Sequence, residues 1–335
     1  MATTKINWAG RVWPFLKGCK RISEGCDHCY AIPQCHMRAA NPNPKISVQF
    51  TGLTHRDEEG HLDWTGQVNV VAEHLDDPLH VQKPDRWFVN SLSDVFYEEV
   101  STDVIAYVFA VMACCPQHTF LLLTKRHGRM KAVLNDPGFR ALYQAAYTEL
   151  SARLRKENPR RWGNLPETAP WPLLNLHLGV SAENQKWFNI RVPALLDCRD
   201  AAGVLWVSAE PLLGPIDLIN AGTWAVPDPP DDHDDYTTCQ RHGAYDCQHA
   251  QPPAGCAHLD WIVTGGENGQ RPCEPEWLLS LRDQCASSGV PFWMKQTGTV
   301  LARRLGLPGK GEDWDDLPSD YQVRQLPQPP VKAAA

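Results

Sequence analysis

The sequence contains no uninterrupted apolar run long enough to cross a bilayer. Residues 1–13 lack the apolar core of a secretory signal peptide. Positive charge is not in excess either: 32 Lys and Arg stand against 39 Asp and Glu, for a formal net charge of -7. A non-specific grip on a phosphate backbone needs clustered positive charge, so the balance argues against it while leaving room for a local basic patch. Together these absences predict a cytoplasmic protein with no membrane partner. In that compartment thiols stay reduced, which excludes a disulfide framework for the twelve cysteines and favours metal or cluster binding. With 335 residues, 43% of them hydrophobic, the chain can bury one large core or two small ones.

What is present centres on residues 18–31, Gly-Cys-Lys-Arg-Ile-Ser-Glu-Gly-Cys-Asp-His-Cys-Tyr-Ala. Cys19, Cys26 and Cys29 are separated by gaps of six and two residues. Three thiolates from one short loop can hold three corners of a [4Fe-4S] cluster and leave the fourth iron open to a small ligand. Gly18 and Gly25 each precede a cysteine, and either can take a positive φ where the backbone must wrap closely. Two other readings of the same residues stand. A zinc site completed by His28, Cys35 or His36 is one. Ordinary buried thiols are the other, disfavoured by the dense spacing.

Downstream, the pattern becomes regular. Ala31–Ala40 reads as a short helix ended by the run Asn41-Pro42-Asn43-Pro44. Apolar runs at 87–92, 119–124, 174–180, 204–207, 259–264 and 291–294 read as strands. Helical stretches fall between them, at 100–114 with Ser101 as N-cap, within 129–156, around 192–198 and at 276–287. This alternation predicts an α/β fold with a parallel sheet covered by helices, and five or six such units fit a barrel or partial barrel. A polar cluster follows every strand: Ser93 and Asp94; Lys125 and Arg126; Ser181, Glu183 and Asn184; Ser208 and Glu210; Glu267 and Asn268, after Gly265-Gly266; Lys295 and Gln296. Sites in such sheets sit at the carboxyl ends of strands, so a shared site is expected there.

The expected boundaries are one domain over 1–306 with two insertions. The first, 150–171, carries Arg153, Arg155, Lys156, Arg160 and Arg161, either a solvated helix face or a contact for nucleic acid. The second, 228–258, contains Cys239, Cys247 and Cys256 among histidines and could hold a structural zinc, or be a surface loop with free thiols. The Pro-rich tail, 307–335, is expected to be flexible.

The loop together with residues 89–96, 122–126, 178–184, 208–214, 263–269 and 291–296 resembles a phage and bacterial three-Cys-motif family, usually grouped with the radical S-adenosylmethionine enzymes. The resemblance covers roughly residues 5–298 and lies outside both insertions. Three features differ from the commonest pattern. The first cysteine gap is longer. His28 stands where an aromatic residue is usual before the last cysteine. The Gly265-Gly266-Glu267 run follows a late strand instead of an early one, so Glu210 or Ser181 could take its role.

The resemblance implies a partial (β/α)6-type barrel and a [4Fe-4S] cluster on Cys19, Cys26 and Cys29. It implies S-adenosyl-L-methionine bound among Ser91, Asp94, Ser181, Glu183, Ser208, Gly265, Gly266 and Glu267. It also implies a 5'-deoxyadenosyl radical that removes hydrogen from a substrate, with Lys125, Glu210 and Lys295 as candidate catalytic groups and flavodoxin or ferredoxin as electron donor. Phage relatives of this kind resemble an enzyme of thymine hypermodification, which isomerises N-linked glycinyl-thymine in viral DNA to the Cα-linked form. Modified viral DNA in the host cytoplasm is then the expected substrate, and a paired base would have to flip out to react. A radical enzyme acting on a tRNA base or a free nucleotide is the alternative within the class. A zinc-binding nucleic-acid module is the alternative outside it.

Overall fold

The computed structural model describes residue 4, residues 6–218 and residues 258–328. Its main sheet has seven strands: β1 (Arg11–Trp13), β2 (Arg86–Val89), β3 (Thr119–Thr124), β4 (Leu173–Ser181), β5 (Ala202–Ala209), β6 (Trp261–Gly265) and β7 (Phe292–Gln296). They lie in sequence order from β1 to β7. An order without reversal is that of singly wound barrels and partial barrels; a doubly wound sheet would contain a switch point. Pairing is parallel from β1 through β2 to β3 and from β5 through β6 to β7. The chain divides into two compact units, Met1–His177 with Asp200–Gly203, and Leu178–Arg199 with Val204–Ala335, where the sequence suggested one domain.

In the first unit, six strand residues were legible in sequence at 119–124, but β1 was not. It is three residues long and is cut off by Pro14, too short to show a period. Its Trp13 is fully buried beside Phe120, with ring centroids 5.5 Å apart. Burying a side chain of this size stabilises by about 1.5–3 kcal/mol. Helix α1 spans Ala31–Ala39 and α2 spans Thr102–Cys114. Ser101 caps α2 by accepting from Val104 N, as its sequence position suggested. α2 is apolar nearly all round because it is sandwiched, packing on one side against the long helix Pro137–Glu157.

The segment 150–171 is part of this packing and is not an appended insertion. Leu150, Leu154 and Trp162 are buried, and the Tyr143 and Tyr147 hydroxyls donate to Pro170 O and Pro166 O at 2.9 and 2.8 Å. Three of its five basic side chains tie the unit together. Arg153 pairs with Asp76 at 2.7 Å, Arg155 donates to Leu165 O at 2.8 Å, and Arg161 donates to Leu79 O at 2.7 Å.

In the second unit, Trp206 of β5 and Trp261 of β6 fill the core, with ring centroids 5.3 Å apart. Gly179 of β4 is required beneath them, since a Cβ there would lie 2.5 Å from the Trp206 indole. The helix Gln185–Leu196 is capped by Asn184, and the amphipathic helix Pro275–Ser287 begins with proline and buries Leu278, Leu281 and Cys285. The tail does not behave as expected. Residues 307–325 pack back on the unit, with Leu317 and Tyr321 buried. Gln325 N donates to Phe292 O, and Met294 N donates to Val323 O, both at 2.8 Å. Composition gave no sign of this segment's backbone pairing with the edge strand β7, which acts together with the buried Leu317 and Tyr321.

Among the described residues no helix is long and apolar enough to cross a membrane. The segment 228–257 with Cys239, Cys247 and Cys256 lies outside the described residues.

Candidate functional site

The cysteine loop of the first unit is fastened from both ends. Gly18 adopts φ +93, and a Cβ there would meet Gln67 O at 2.2 Å, so only glycine fits. Gly25 lies in the 3-10 turn Glu24–Cys26 and needs no left-handed angle. Arg21 acts as the clamp. Its Nε meets Asp63 at 2.8 Å, its Nη1 donates to Cys26 O at 2.8 Å and also to Asp27 O, and its Nη2 donates to Leu62 O at 3.2 Å. Beneath the loop, Cys19 and Cys29 pack on an apolar cluster of Ala31, Ile32, Phe50, Leu53, Trp64 and Leu92.

All three loop cysteines are free and half-buried. Protein packed around Cys19, and then the charge of Asp94, push its thiol up to about 12, while Arg126 pulls the other way. Burial likewise raises Cys29, opposed in part by Lys125 and Arg21. Thiols held neutral in this way become ligands only against strong positive charge, which a metal centre supplies as it displaces their protons. Among the described residues, no three His, Cys, Asp or Glu side chains, these included, are gathered closely enough to hold a single metal ion. The residues that would complete a zinc site are placed elsewhere. Cys35 is fully buried in the apolar cluster, His36 Nδ1 pairs with Thr54 Oγ1 at 3.2 Å, and His28 is exposed. The three loop thiols are not arranged to show a cluster or a tetrahedral metal site.

Asp94 organises the strand ends of this unit. Its Oδ1 accepts from Thr124 Oγ1 at 2.7 Å and from Phe96 N at 3.0 Å, and its Oδ2 accepts from Lys125 N at 3.0 Å. Arg126 donates to Lys20 O at 2.7 Å, next to Cys19, and its guanidinium lies over the Tyr97 ring. Ser91 offers its carbonyl to the Tyr30 hydroxyl at 2.8 Å. Asp94, Lys125, Arg126 and Ser91 thus share one neighbourhood with the loop.

In the second unit, the strand ends bring Ser208, Glu210, Gly265 and Lys295 together. Lys295 Nζ lies 2.8 Å from Glu210 Oε1, and Ser208 Oγ donates to Glu210 Oε2 at 3.4 Å. A Cβ on Gly265 would sit 2.9 Å from Glu210 Oε1 and 3.1 Å from Gln296 Cγ. The other two carboxylates are committed to internal partners. Glu183 is fully buried against Arg191 at 2.8 Å, and Arg191 also donates to Ser181 O at 2.8 Å. Glu267 is clasped by Arg271, whose Nε lies 3.0 Å from its Oε1 and 3.1 Å from its Oε2. A Cβ on Gly266 would meet Thr297 O at 2.2 Å, so this glycine serves backbone packing.

A family model described as "Protein of unknown function (DUF5131)" matches residues 3–320. The chain belongs to the DUF5131 family. No curated protein and no solved structure matches it.

In this DUF5131 member, the polar residues expected after the strands lie at the strand ends, and several of them have partners within the protein. Of the residues expected to bind ligand, Glu183 pairs with Arg191 and Glu267 with Arg271, eight and four residues downstream, and Ser181 O accepts from Arg191. Arg21 and Thr124, which hold the loop backbone and Asp94, were not among the expected site residues. Arg21 stands within the cysteine loop, so proximity alone could have flagged it.

Proposed function

We propose that this protein is a radical S-adenosylmethionine enzyme whose [4Fe-4S] cluster is held by Cys19, Cys26 and Cys29. The observation that carries the reading is the loop itself: three free, half-buried thiols on one segment, clamped by Arg21 and set on an apolar floor. When bound, the cluster supplies the electron that cleaves S-adenosylmethionine to methionine and a 5'-deoxyadenosyl radical.

The chain's own residues prepare for that chemistry. The apolar floor excludes water from the underside of the loop. Asp94 fixes the backbone of Lys125 and the hydroxyl of Thr124, so the cations after β3 are held in place beside the loop. Lys125 and Arg126 suit a carboxylate or phosphate. Ser208, Glu210 and Lys295 present a hydroxyl, a carboxylate and an ammonium at the ends of β5 and β7.

The substrate we assign is glycinyl-thymine in viral DNA, isomerised from N-linked to Cα-linked. Hydrogen removal from a glycine Cα is favoured by the flanking nitrogen and carboxylate, which both stabilise the resulting radical. An electron donor such as flavodoxin or ferredoxin and a cytoplasmic setting complete the reading.

The test is anaerobic reconstitution, followed by iron, sulfide and zinc analysis and incubation with dithionite and S-adenosylmethionine. Release of 5'-deoxyadenosine that disappears in Cys26→Ala is expected. Stoichiometric zinc with no cleavage would replace the enzyme with a binding module.

A further inference from the structure

Helix α1 is apolar on two opposite sides. Ala31, Ile32 and Cys35 are buried on the core side. Met37, on the other, is 67% exposed. The segment 44–50 packs against α1 and adds Ile46 and Val48, 36% and 65% exposed. Single exposed apolar side chains are ordinary. Three on one small part of the fold, beside a helix that already buries its other apolar side, mark a contact surface.

The charge around them is of one sign. Roughly one residue in nine of the chain is acidic, yet none lies between His28 and Arg56. Arg38 and Lys45 are exposed on this face and have no carboxylate partner among the described residues; the Arg38 guanidinium lies over the Phe50 ring. The sign then reverses. Asp57, Glu58 and Glu59 stand at the tip of the hairpin formed by Thr54–Arg56 and Leu62–Trp64. All three are exposed. Asp57 and Glu59 lie 3.5 and 3.4 Å from His61 Nδ1, and Glu58 has no partner among the described residues. The hairpin is held against α1. Trp64 is buried in the same cluster as Ile32 and Cys35, and His36 Nδ1 pairs with Thr54 Oγ1 at 3.2 Å. A basic, apolar face and an acidic tip are thus fixed side by side on one unit.

Two exposed cations are too few to grip a phosphate backbone, which needs clustered positive charge. Apolar side chains with Met and Arg among them are the composition of a protein interface. The acidic complement stands on this same chain, beside the face and not opposite it, and among the described residues no ion pair joins the two. A two-fold axis between them would bring the tip of each protomer onto the face of the other, and such self-complementary contacts close as a dimer. We propose that this face docks on a second copy of the chain, with Met37 and Val48 at the centre of the contact and Arg38 and Lys45 meeting the acidic tip of the partner.

The test is sedimentation velocity on the full-length protein in reducing buffer, so that no disulfide contributes. Between about 1 and 100 µM the wild type is expected to pass from monomer to dimer. Met37→Asp is expected to raise the dissociation constant about tenfold or more, the scale of a central interface side chain. The thermal midpoint of the dilute Met37→Asp protein should match that of the wild type, because Met37 lies outside the core. Two charge variants carry the main comparison. Arg38→Glu with Lys45→Glu reverses the face, and Glu58→Lys with Glu59→Lys reverses the tip. Each is expected to remain monomeric alone. Mixed in equal amounts they are expected to form a heterodimer, because both contacts then join opposite charges. If either double variant fails to fold, the single substitutions Arg38→Glu and Glu58→Lys repeat the comparison.

A wild type that stays monomeric throughout this range assigns the face to a different partner and overturns the proposal. A dimer whose affinity none of the variants alters overturns it too, as does the absence of a heterodimer on mixing.

Discussion

Arg191 Nη1 lies 2.8 Å from Glu183 Oε2, and neither side chain reaches solvent. The guanidinium also donates to Ser181 O and lies over the Trp187 ring. Removing one charge from a buried pair strands the other, at a cost of about 3–5 kcal/mol. Glu183→Gln is therefore expected to lower the urea midpoint sharply, and the double variant Glu183→Met with Arg191→Met to recover much of the loss. A Glu183→Gln protein with wild-type stability and lost S-adenosylmethionine binding would return this carboxylate to the ligand site.

Cys26 and Cys35 provide a contrast within one short stretch. Cys26 is half-buried on the clamped loop, whereas Cys35 is fully buried on α1 within the apolar floor. Cys26→Ala is expected to lose nearly all bound iron after reconstitution with little change in stability. Cys35→Ala is expected to keep its iron and lose about 1–2 kcal/mol of stability, the cost of a small cavity. Arg21→Ala should hold iron but release it several-fold faster to a chelator, because the Cys26 carbonyl loses its anchor. Equal iron loss in Cys26→Ala and Cys35→Ala would remove the distinction on which the loop's assignment rests.

How far these roles could be read from sequence depends on the range of the forces involved. The strands at 119–124 and 204–207 announce themselves because a buried parallel strand is apolar on both faces, a local property. The α2 cap at Ser101 is likewise local. What escaped notice depends on partners far away in the chain. β1 exists only because β2, more than seventy residues later, offers it an edge. Arg153 looked like a surface charge, but Asp76 accepts it across 77 positions. Strand-end polarity marks where a site can be, while the identity of the partner decides whether a carboxylate binds a ligand or an arginine. Glu210 and Glu183 occupy similar positions after β5 and β4, but Glu210 is partly exposed and pairs with Lys295, whereas Glu183 is fully buried against Arg191.

His118 makes the first unit sensitive to acid. Its Nδ1 accepts from Asp85 N at 3.2 Å, and its Nε2 donates to Val81 O at 3.0 Å, so both nitrogens are committed as the neutral ring. Burial lowers its pKa below 6.5, and the carbonyl acceptors only partly oppose the shift. Between the lowered value and 6.5 the unfolded chain binds more protons than the folded one. Stability is therefore undiminished above pH 6.5 and falls as the pH drops through that window. Urea midpoints at pH 7.5 and 5.5 should differ more for the wild type than for His118→Gln, whose amide can accept and donate in the same two directions without taking a proton. Parallel pH dependence in the two proteins would assign the acid sensitivity to another group.

Gly265→Ala tests the geometry between Glu210 and Gln296. The added methyl would sit 2.9 Å from Glu210 Oε1, 3.1 Å from Gln296 Cγ and 3.2 Å from Gln296 O. The backbone oxygen cannot move without breaking the Gly266 N bond to Gln296 O, so the Glu210 side chain must give way, taking Lys295 with it. The expected outcome is a loss of turnover of about a hundredfold, the scale seen when reacting groups are displaced by about 1 Å, with a much smaller loss of stability. Full activity in Gly265→Ala would show that the Glu210–Lys295 pair takes no part in the reaction.

The last prediction concerns the tail. Residues 322–325 run antiparallel along the free edge of β7, with Trp293 bridged to Arg324 and Phe292 N donating to Gln325 Oε1 at 3.0 Å. The Trp261 indole, buried at the centre of the unit, donates to Gln325 O at 2.9 Å. Truncation after Gly306 would leave β7 with open donors and acceptors, a template for pairing with another chain. It would also remove the Gln325 O that accepts from the Trp261 indole, a hydrogen bond worth about 0.5–1.5 kcal/mol. The truncated protein is expected to melt at least several degrees lower and to form oligomers by light scattering at concentrations where the full chain does not. Gln325→Pro separates the two effects, because it removes both bonds to Phe292, the backbone donor to Phe292 O and the side-chain acceptor of Phe292 N, while keeping the carbonyl that Trp261 donates to. If the truncated chain melts and scatters like the full one, pairing along β7 contributes nothing to the fold, and the tail is the dispensable appendage that its composition suggested.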